Sequence, residues 1–433
     1  MKNNTRILVI IMLTFSFYQM DCKDDSSIIP PSESAFSLSA FEIISTEALI
    51  KIEYAHSDSI TIQLQRNGHT IANSLKIYKE YIYNDTLLQP KQNYTYTAYK
   101  IENGGVVDSS RPLQITTMDT TSNNFIWETF SFGNGSSSVI NDVAIINDTL
   151  IYAVGEIYIL DSTGQDEILY NAVKWDGKKW NLMRVPSKGS VTYPPHQTIW
   201  VISKSNILFS WGGGIITFDG INFTDDMRMN SLLSGAINKI FAFNSHAIYA
   251  VGNNGSIVHY NGSSWQKLES GTTLTIGDIW GVAQQNNNTS EVFCAATSNT
   301  IEQQGTKLLR ISSTNDVDSL PWNSPWFNYS VWTATGKTLY LCGSSLLKYR
   351  NGNITETDFG IFLARIRGNA NNDITVVGDF GFVSHYNGNK WQSYPELYHS
   401  NMAYRSLAMK GNTIAAIGFK NNAAVITIGK RIN

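Results

Sequence analysis

From residue 125 onward, short apolar runs alternate with turns rich in Asn, Gly and Ser. One phrase recurs: a run ending in Val-Gly, a second run ending in Tyr-Asn-Gly, and a Trp three residues later. It is clearest at 250–265 and again at 376–391. Short apolar runs bounded by such turn residues are typical of β-strands. The pattern therefore predicts short strands that repeat with a period of roughly 40 residues.

Weaker copies of this phrase fill the rest of the chain from residue 124 to residue 433. A single four-stranded sheet of this length cannot bury both of its faces, so neighbouring copies must pack against one another. This requirement predicts an all-β fold with a β-propeller over 124–433. Seven copies predict seven blades. Six or eight blades are the alternatives, because one copy has lost its Gly-Trp phrase and another contains an insertion.

The last copy lacks its outer strand, whereas a lone strand that carries a Trp precedes the first copy at 125–130. We expect this early strand to complete the last blade, because the pairing would remove an open sheet edge.

Asn-Gly or Asp-Gly follows the third strand of five copies, at 176–177, 219–220, 261–262, 351–352 and 387–388. These dipeptides predict two-residue hairpin turns with positive φ at both positions. The Trp that follows is expected to pack between neighbouring blades. His259 and His385 precede Tyr-Asn-Gly in two copies, and we assign both to repeat geometry.

The amino-terminal segment has a different pattern. Residues 1–6 are basic, an apolar run of secretory length follows at 7–17, and Cys22 comes soon after. The run is too short for a membrane-spanning helix. Residues 1–21 resemble a lipoprotein signal peptide, and the acidic residues after Cys22 resemble the export signal of Bacteroidetes surface lipoproteins. The resemblance implies lipidation of Cys22 and anchoring to the outer membrane; an ordinary secreted protein is the alternative.

A polar tether with Pro30-Pro31 is expected after the cysteine, over 22–35. Alternating strands over 36–118 then predict a β-sandwich. Leu88, Pro90 and Tyr94, followed by Tyr96 and Ala98, resemble the fibronectin type III motif in which a tyrosine forms a corner beside strand F. The core Trp of that family is missing. We therefore expect an immunoglobulin- or fibronectin III-like sandwich between the tether and the propeller.

The composition of the chain argues against one class of partner, nucleic acids. The formal net charge is −3 and only 15% of the 433 residues are charged. Without a basic stripe, nucleic-acid binding is not expected. Cys294 and Cys342 lie in the second strands of their copies, so a disulfide is an alternative to two inert buried thiols.

No motif in the chain has the spacing of a catalytic or metal site, so we predict no catalytic residues, no metal and no cofactor. Sialidase-like or glycosyltransferase-like activity is the weaker alternative. It would need converging carboxylates and an arginine cluster. Arg365 and Arg367 share one strand, and we assign Asp142, Asp278 and Asp373 to turns and strand edges.

Binding is the favoured function, because loops on a rigid ring offer a large recognition surface. The expected partners are the outer-membrane lipid through Cys22, and a glycan or an envelope protein through one propeller face. A structural or adhesin subunit of an outer-membrane assembly is the alternative. For Trp322 and Trp326, packing against the degenerate fourth blade is the alternative to ligand contact. The candidate contact residues are aromatic and polar loop residues: Tyr193, His196, Trp322, Trp326 and Tyr329.

Overall fold

The computed structural model describes residues 35–187, 193–284, 289–298, 305–322, 324 and 327–432. Cys22, Trp326 and the predicted leader lie outside these residues. Within them the fold is all-β, apart from two single 3-10 turns at Asn230–Leu232 and Pro395–Leu397. No helix in the described ranges is long and apolar enough to cross a membrane.

The amino-terminal module contains eight strands. They are β1 (Phe36–Ile43), β2 (Ala48–Tyr54), β3 (Ser59–Arg66), β4 (His69–Tyr78), β5 (Glu80–Asp85), β6 (Asn93–Glu102), β7 (Gly105–Ser109) and β8 (Leu113–Thr116). The order is β1-β2-β5-β4-β3-β6-β7, with β8 also paired to β6. Strands β4 and β5 share only the pair Tyr78 and Glu80, so the sheet divides there into two layers.

Both layers contribute to one apolar core. Ile50 and Ile52 of β2 pack with Ile62 and Leu64 of β3 and with Tyr96 of β6. Their alternation with exposed residues is the period that a strand with one buried face requires. The strands of this module thus surround one core, and its assignment as an immunoglobulin- or fibronectin III-like sandwich stays a prediction.

The remaining strands form seven four-stranded antiparallel sheets within the described residues. We number the sheets in chain order. Sheets 1 to 3 contain β10 (Val139–Asn147), β11 (Leu150–Leu160), β12 (Glu167–Trp175), β13 (Trp180–Met183); β14 (Thr198–Ser203), β15 (Asn206–Trp211), β16 (Gly214–Phe218), β17 (Phe223–Asp226); and β18 (Ile237–Asn244), β19 (Ala247–Gly252), β20 (Ile257–Tyr260), β21 (Trp265–Lys267).

Sheets 4 to 6 have the same order. They contain β22 (Thr275–Gln284), β23 (Thr289–Thr297), β24 (Thr306–Ile311), β25 (Val317–Ser319); β26 (Asn328–Trp332), β27 (Thr338–Gly343), β28 (Leu346–Arg350), β29 (Asn353–Thr357); and β30 (Leu363–Ala370), β31 (Asp373–Gly378), β32 (Val383–Tyr386), β33 (Trp391–Ser393).

Sheet 7 is built from both ends of this region. Strands β34 (Met402–Lys410), β35 (Thr413–Lys420) and β36 (Ala423–Arg431) are completed by β9 (Phe125–Phe132). Strand β9 pairs with β36 along its whole length, from Phe132 against Ala424 to Phe125 against Arg431. The expectation that the early strand completes the last sheet is confirmed.

The sheets are arranged in a propeller-like ring. The first strand of each sheet contacts the first strand of the next, and β34 of sheet 7 returns to contact β10 of sheet 1. Each sheet is a simple meander, so its turns alternate between the two faces of the ring. We call the face with the first-to-second and third-to-fourth strand turns the docking face. The face with the second-to-third strand turns and the segments entering each sheet is the open face.

The prediction of two-residue turns is wrong at four of the five positions. Tyr260 pairs with Trp265, which leaves a loop at 261–264, and the same spacing occurs at 176–179, 219–222 and 387–390. In these loops the Asn or Asp side chain accepts backbone N–H groups and only the Gly has a positive φ. Asn351-Gly352 has a positive φ at both residues and is the turn that the dipeptide predicts.

The repeated Trp has the predicted place between sheets. The Trp265 indole packs against Tyr260 of its own sheet, with ring centroids 5.2 Å apart. Its N–H donates to Asp226 of the preceding sheet at 2.9 Å. Cys294 and Cys342 are buried and free, in agreement with their assignment as inert residues.

The amino-terminal module packs on the docking face, against sheets 5 and 6. Glu42 accepts hydrogen bonds from Thr335 at 2.5 Å and from Thr338 at 2.6 Å. Glu47 accepts one from Lys348 at 2.6 Å, and Arg350 forms ion pairs with both glutamates. The charges of Lys348 and Arg350 outweigh burial and lower the pKa of Glu47. The module is therefore held by buried charge pairs, and not by the linker alone.

Replacing Arg350→Met should loosen this contact, because Glu42 and Glu47 would remain buried without their guanidinium partner. Loss of one member of a buried ion pair costs about 3–5 kcal/mol. We expect faster limited proteolysis of the linker at 119–124 and thermal unfolding in two steps, as measured by calorimetry. Lys100→Met, which removes an exposed pair with Glu102, is the control. Unchanged proteolysis in the Arg350 variant would contradict this account of the interface.

Candidate functional site

The centre of the ring is polar, although the first strands around it are mostly apolar. In six of the seven sheets the first strand has a β-bulge near its beginning, and the residue directly after the bulge is polar. Thr198 supplies the corresponding side chain in sheet 2. We call these residues the axial ring: Asp142, Thr198, Lys239, Asp278, Ser330, Arg365 and Ser406.

Asp142 organises one half of the axial ring. Its carboxylate accepts hydrogen bonds from Thr198 at 2.7 Å, from Lys239 at 2.5 Å and from Ser406 at 2.8 Å. The backbone N–H of Ile199 donates to it at 3.0 Å. Burial raises the pKa of this carboxyl, but the charges of Lys239 and Arg365 outweigh burial, so the pKa lies below its usual range.

Asp278 organises the other half. Arg367 donates to both of its oxygens, at 2.8 and 2.9 Å, and Arg365 pairs with it at 2.8 Å. Ser330 donates at 2.5 Å. Burial alone would raise the pKa of Asp278, yet the two guanidinium groups hold it well below its usual range. Three side chains from sheets 5 and 6 therefore meet at this carboxylate of sheet 4.

This arrangement corrects the assignment of Asp142 and Asp278 to turns and strand edges. Both carboxylates are buried at the axis, and Arg365 and Arg367 converge on one of them. Asp373 lies elsewhere, near the docking face, where it contacts His385 and Arg431. Each axial carboxylate is paired with at least one buried cation.

Aromatic side chains are exposed on the open face of sheets 5, 6 and 7. We call them the aromatic arc: Phe327, Tyr329, Phe362, Phe380 and Tyr398. Each of these residues is between 38% and 59% exposed. Tyr329 meets Phe362 edge-on with centroids 6.0 Å apart, and Phe380 lies 6.1 Å from Tyr398. Exposed apolar side chains grouped on one face mark an interaction surface.

Phe380 is held in a conformation that a bulky residue rarely adopts. Its φ is 58°, in the left-handed region. The same turn of sheet 3 has Asn254, with φ 54°, and Asn tolerates this region far better than Phe. Strain of this kind, on an exposed aromatic side chain, points to a role in binding.

A cavity of about 420 Å³ lies beside the arc. Phe380 and Phe419 form apolar parts of its wall, and the polar parts are Asp379 and the side chains of Ser400, Asn401, Asn421 and Asn422. Burial raises the pKa of Asp379. Arg405 lies nearby, with its guanidinium carbon 5.4 Å from the centre of the Phe419 ring. Aromatic rings next to amide and carboxyl groups can stack on a ring-shaped ligand and hydrogen-bond its hydroxyls.

The contact residues predicted from the sequence lie in different environments in the structure. Tyr329 belongs to the aromatic arc. Trp322 is half-buried, donates to Thr306 at 3.1 Å and packs near Tyr349 between sheets 4 and 5, which is the packing role considered for it. Tyr193 stacks on Arg184 at 3.8 Å, in the segment that enters sheet 2. Trp326 lies outside the described residues.

His196 needs a correction, because its side chain is fully buried and has no surface for a ligand. Its Nδ1 lies 3.1 Å from the carbonyl oxygen of Ser210 and its Nε2 lies 3.2 Å from the amide of Asn171. Nδ1 therefore carries the proton. Burial lowers the pKa of His196 to about 4, and the ring acts as a neutral link between sheets 1 and 2.

Replacing Asp278→Asn should destabilise the ring, because Arg365 and Arg367 would stay buried without the carboxylate that both of them contact. The expected loss in the free energy of unfolding is about 3–5 kcal/mol, measured by denaturant titration. Asp318→Asn, at an exposed pair with Arg310, should cost less than about 1 kcal/mol. Equal losses in the two variants would contradict a special role for the axial ring.

Comparison with known proteins gives limited matches. No family model matches the chain. The immune protein Tsi7 of Pseudomonas aeruginosa is 29% identical over 122 residues, which is 28% of this chain and 36% of that protein. The chain thus spans about a third of the length of this curated relative.

Two solved structures resemble the ring at low sequence identity. "YCF48 bound to D1 peptide" matches 72% of this chain and 98% of its own, with 11% identity and a TM-score of 0.49. The computationally designed Ika8 protein matches 69% of this chain and 98% of its own, with 10% identity and a TM-score of 0.44. Since both scores lie under 0.5, the propeller-like, all-β assignment of this chain is based on its own sheet topology.

Proposed function

We propose that the protein is a non-enzymatic, surface-anchored carbohydrate-binding lipoprotein that recognises its ligand through the open face of a seven-bladed propeller. The observation that carries this proposal is the aromatic arc beside a cavity with amide and carboxyl groups. Sugars stack their apolar faces on aromatic rings and offer hydroxyls to such polar groups. A flat apolar patch would instead favour a protein partner.

The position of the amino-terminal module supports the same function. The module packs on the docking face at sheets 5 and 6, so the tether predicted at 22–35 would approach the ring from that side. Lipidation at Cys22 would then place the open face away from the membrane. Membrane anchoring through Cys22 is inferred from the sequence, in which a basic start and an apolar run precede this residue.

We further propose that the module is a fibronectin type III-like domain. Its division into β1-β2-β5 and β4-β3-β6-β7 follows the strand order expected of such a sandwich. The Tyr94 hydroxyl accepts a hydrogen bond from the backbone N–H of Gln89 at 2.8 Å. A tyrosine bound to the backbone a few residues upstream is the corner that the sequence motif predicts.

Phe380→Asn gives a direct test that does not depend on a loss of stability. Asn occupies the matching turn of sheet 3, so the substitution should raise the free energy of unfolding by about 1 kcal/mol. It removes an aromatic contact worth roughly 1.4 kcal/mol, and glycan affinity should fall about tenfold. A glycan array, followed by titration calorimetry with the best-binding glycan, measures the affinity.

Tyr398→Ala should also reduce binding, whereas Tyr78→Ala, at an exposed tyrosine of the amino-terminal module, should not. Glycan binding that survives in both Phe380→Asn and Tyr398→Ala would contradict the assigned site. An absence of glycan binding, together with an envelope protein that co-purifies with the wild type but not with Phe380→Asn, would instead make the open face a protein-binding surface.

A further inference from the structure

A second cavity lies on the axis of the ring, away from the aromatic arc. Its volume is about 280 Å³, slightly below the range of about 300–1,000 Å³ that is usual for ligand pockets. It is lined by the later parts of the first strands, including Trp200, Trp280 and Lys410. Since the first strands end at the docking face, and Lys410 is exposed there, the cavity opens on that face. It can hold only a small ligand.

The charged residues that line this cavity are all cations. They are Lys239, Arg367 and Lys410, and no carboxylate is among the lining residues. The charges of the neighbouring axial ring, taken together with Arg367, are not balanced either. Lys239, Arg365 and Arg367 carry three positive charges, whereas Asp142 and Asp278 carry two negative ones. Each cation has a carboxylate partner, but the cluster keeps one net positive charge. Buried net charge is costly, and a bound anion would offset it.

Donor groups remain available at the inner end of the cavity. The Lys239 ammonium has three protons, and the hydrogen bond that the described residues give it goes to Asp142. Burial lowers the pKa of Lys239 to about 8, against the opposing effect of Asp142. An added anion would stabilise the charged form of this lysine.

The aromatic part of the cavity wall is apolar. The indole N–H of Trp200 already donates to the carbonyl of Ala242 at 3.0 Å, and that of Trp280 donates to the carbonyl of Thr333 at 3.0 Å. Arg367 lies against Trp280, with its guanidinium carbon 4.9 Å from the ring centre. Trp200 and Trp280 meet edge-on, with ring centroids 5.7 Å apart, so together they form one wall. A ligand beside this wall would meet apolar ring surface on that side and cations at the inner end.

We propose that the axial cavity binds a small carboxylate-bearing ring molecule, of the size of an acidic monosaccharide. The carboxylate binds Lys239, and the ring of the ligand packs against Trp200 and Trp280. Lys410 attracts the anion at the entrance. This site is separate from the aromatic arc and does not depend on glycan binding by the open face.

The probe is D-glucuronate, compared with D-glucose, which has the same ring without the charge, and with acetate and phosphate, which have charge without the ring. Binding is measured at low salt by thermal unfolding and by quenching of tryptophan fluorescence, because a ligand that binds only the folded state raises its Tm. We expect saturable binding of glucuronate, weaker binding of acetate and phosphate, and no response to glucose.

Variants locate the site. Lys410→Gln and Trp200→Phe should each weaken glucuronate binding about tenfold, and Lys239→Met should abolish it. Lys178→Gln, at an exposed lysine outside the cavity, is the matched control. Phe380→Asn should leave glucuronate affinity unchanged, which separates this site from the aromatic arc. If Lys239→Met does not fold, the glucuronate affinities of Lys410→Gln and Trp200→Phe still test the site.

Two results would overturn the proposal. One is the absence of any Tm shift or fluorescence change with glucuronate, acetate and phosphate. The other is glucuronate binding that keeps its affinity in both Lys410→Gln and Trp200→Phe, because the ligand would then bind elsewhere on the protein.

Discussion

The pairing of charges around Asp142 and Asp278 is the interaction on which the ring depends. Packing seven sheets around an axis brings one residue of each first strand together at the buried centre of the ring. Charges there are stable only when they are paired and hydrogen-bonded. The two aspartates meet this condition by accepting hydrogen bonds from first strands on several sheets. They thereby fix the relative positions of those sheets.

The same principle explains how the amino-terminal module is attached. Glu42 and Glu47 bring negative charge to the docking face. There they pair with Lys348 and Arg350, which lie near the end of β28, the third strand of sheet 5. The docking face thus carries a polar interface at sheets 5 and 6, while the opposite face keeps the exposed aromatic side chains. This difference between the faces is the structural basis for placing recognition on the open face.

Much of the fold could be predicted from local sequence. The repeated Tyr-Asn-Gly and Trp residues are adjacent in the chain because they form one hairpin, so their pattern reveals strands three and four of a sheet. The strand at 125–130 could also be placed, because the last repeat lacks its outer strand. The loop length was missed, since the Asn side chain at 261 itself caps a longer loop.

The axial ring and most of the aromatic arc could not be found in this way. Asp142 and Lys239 lie 97 residues apart, and only closure of the ring brings them together. His196 looked like a loop residue, because the sequence does not show that sheets 1 and 2 enclose it. Phe380 did leave a signal: aligning 378–383 with 252–257 shows Phe where the other repeat has Asn.

Hydrogen exchange of the first strands tests the central claim, that charge pairing at the axis holds a closed ring together. Amides in β10 of sheet 1 and β34 of sheet 7 should exchange as slowly as those in β18 of sheet 3, because all three open only when the whole ring unfolds. Fast exchange confined to sheets 1 and 7 would show that the ring opens at its seam, and would contradict the account.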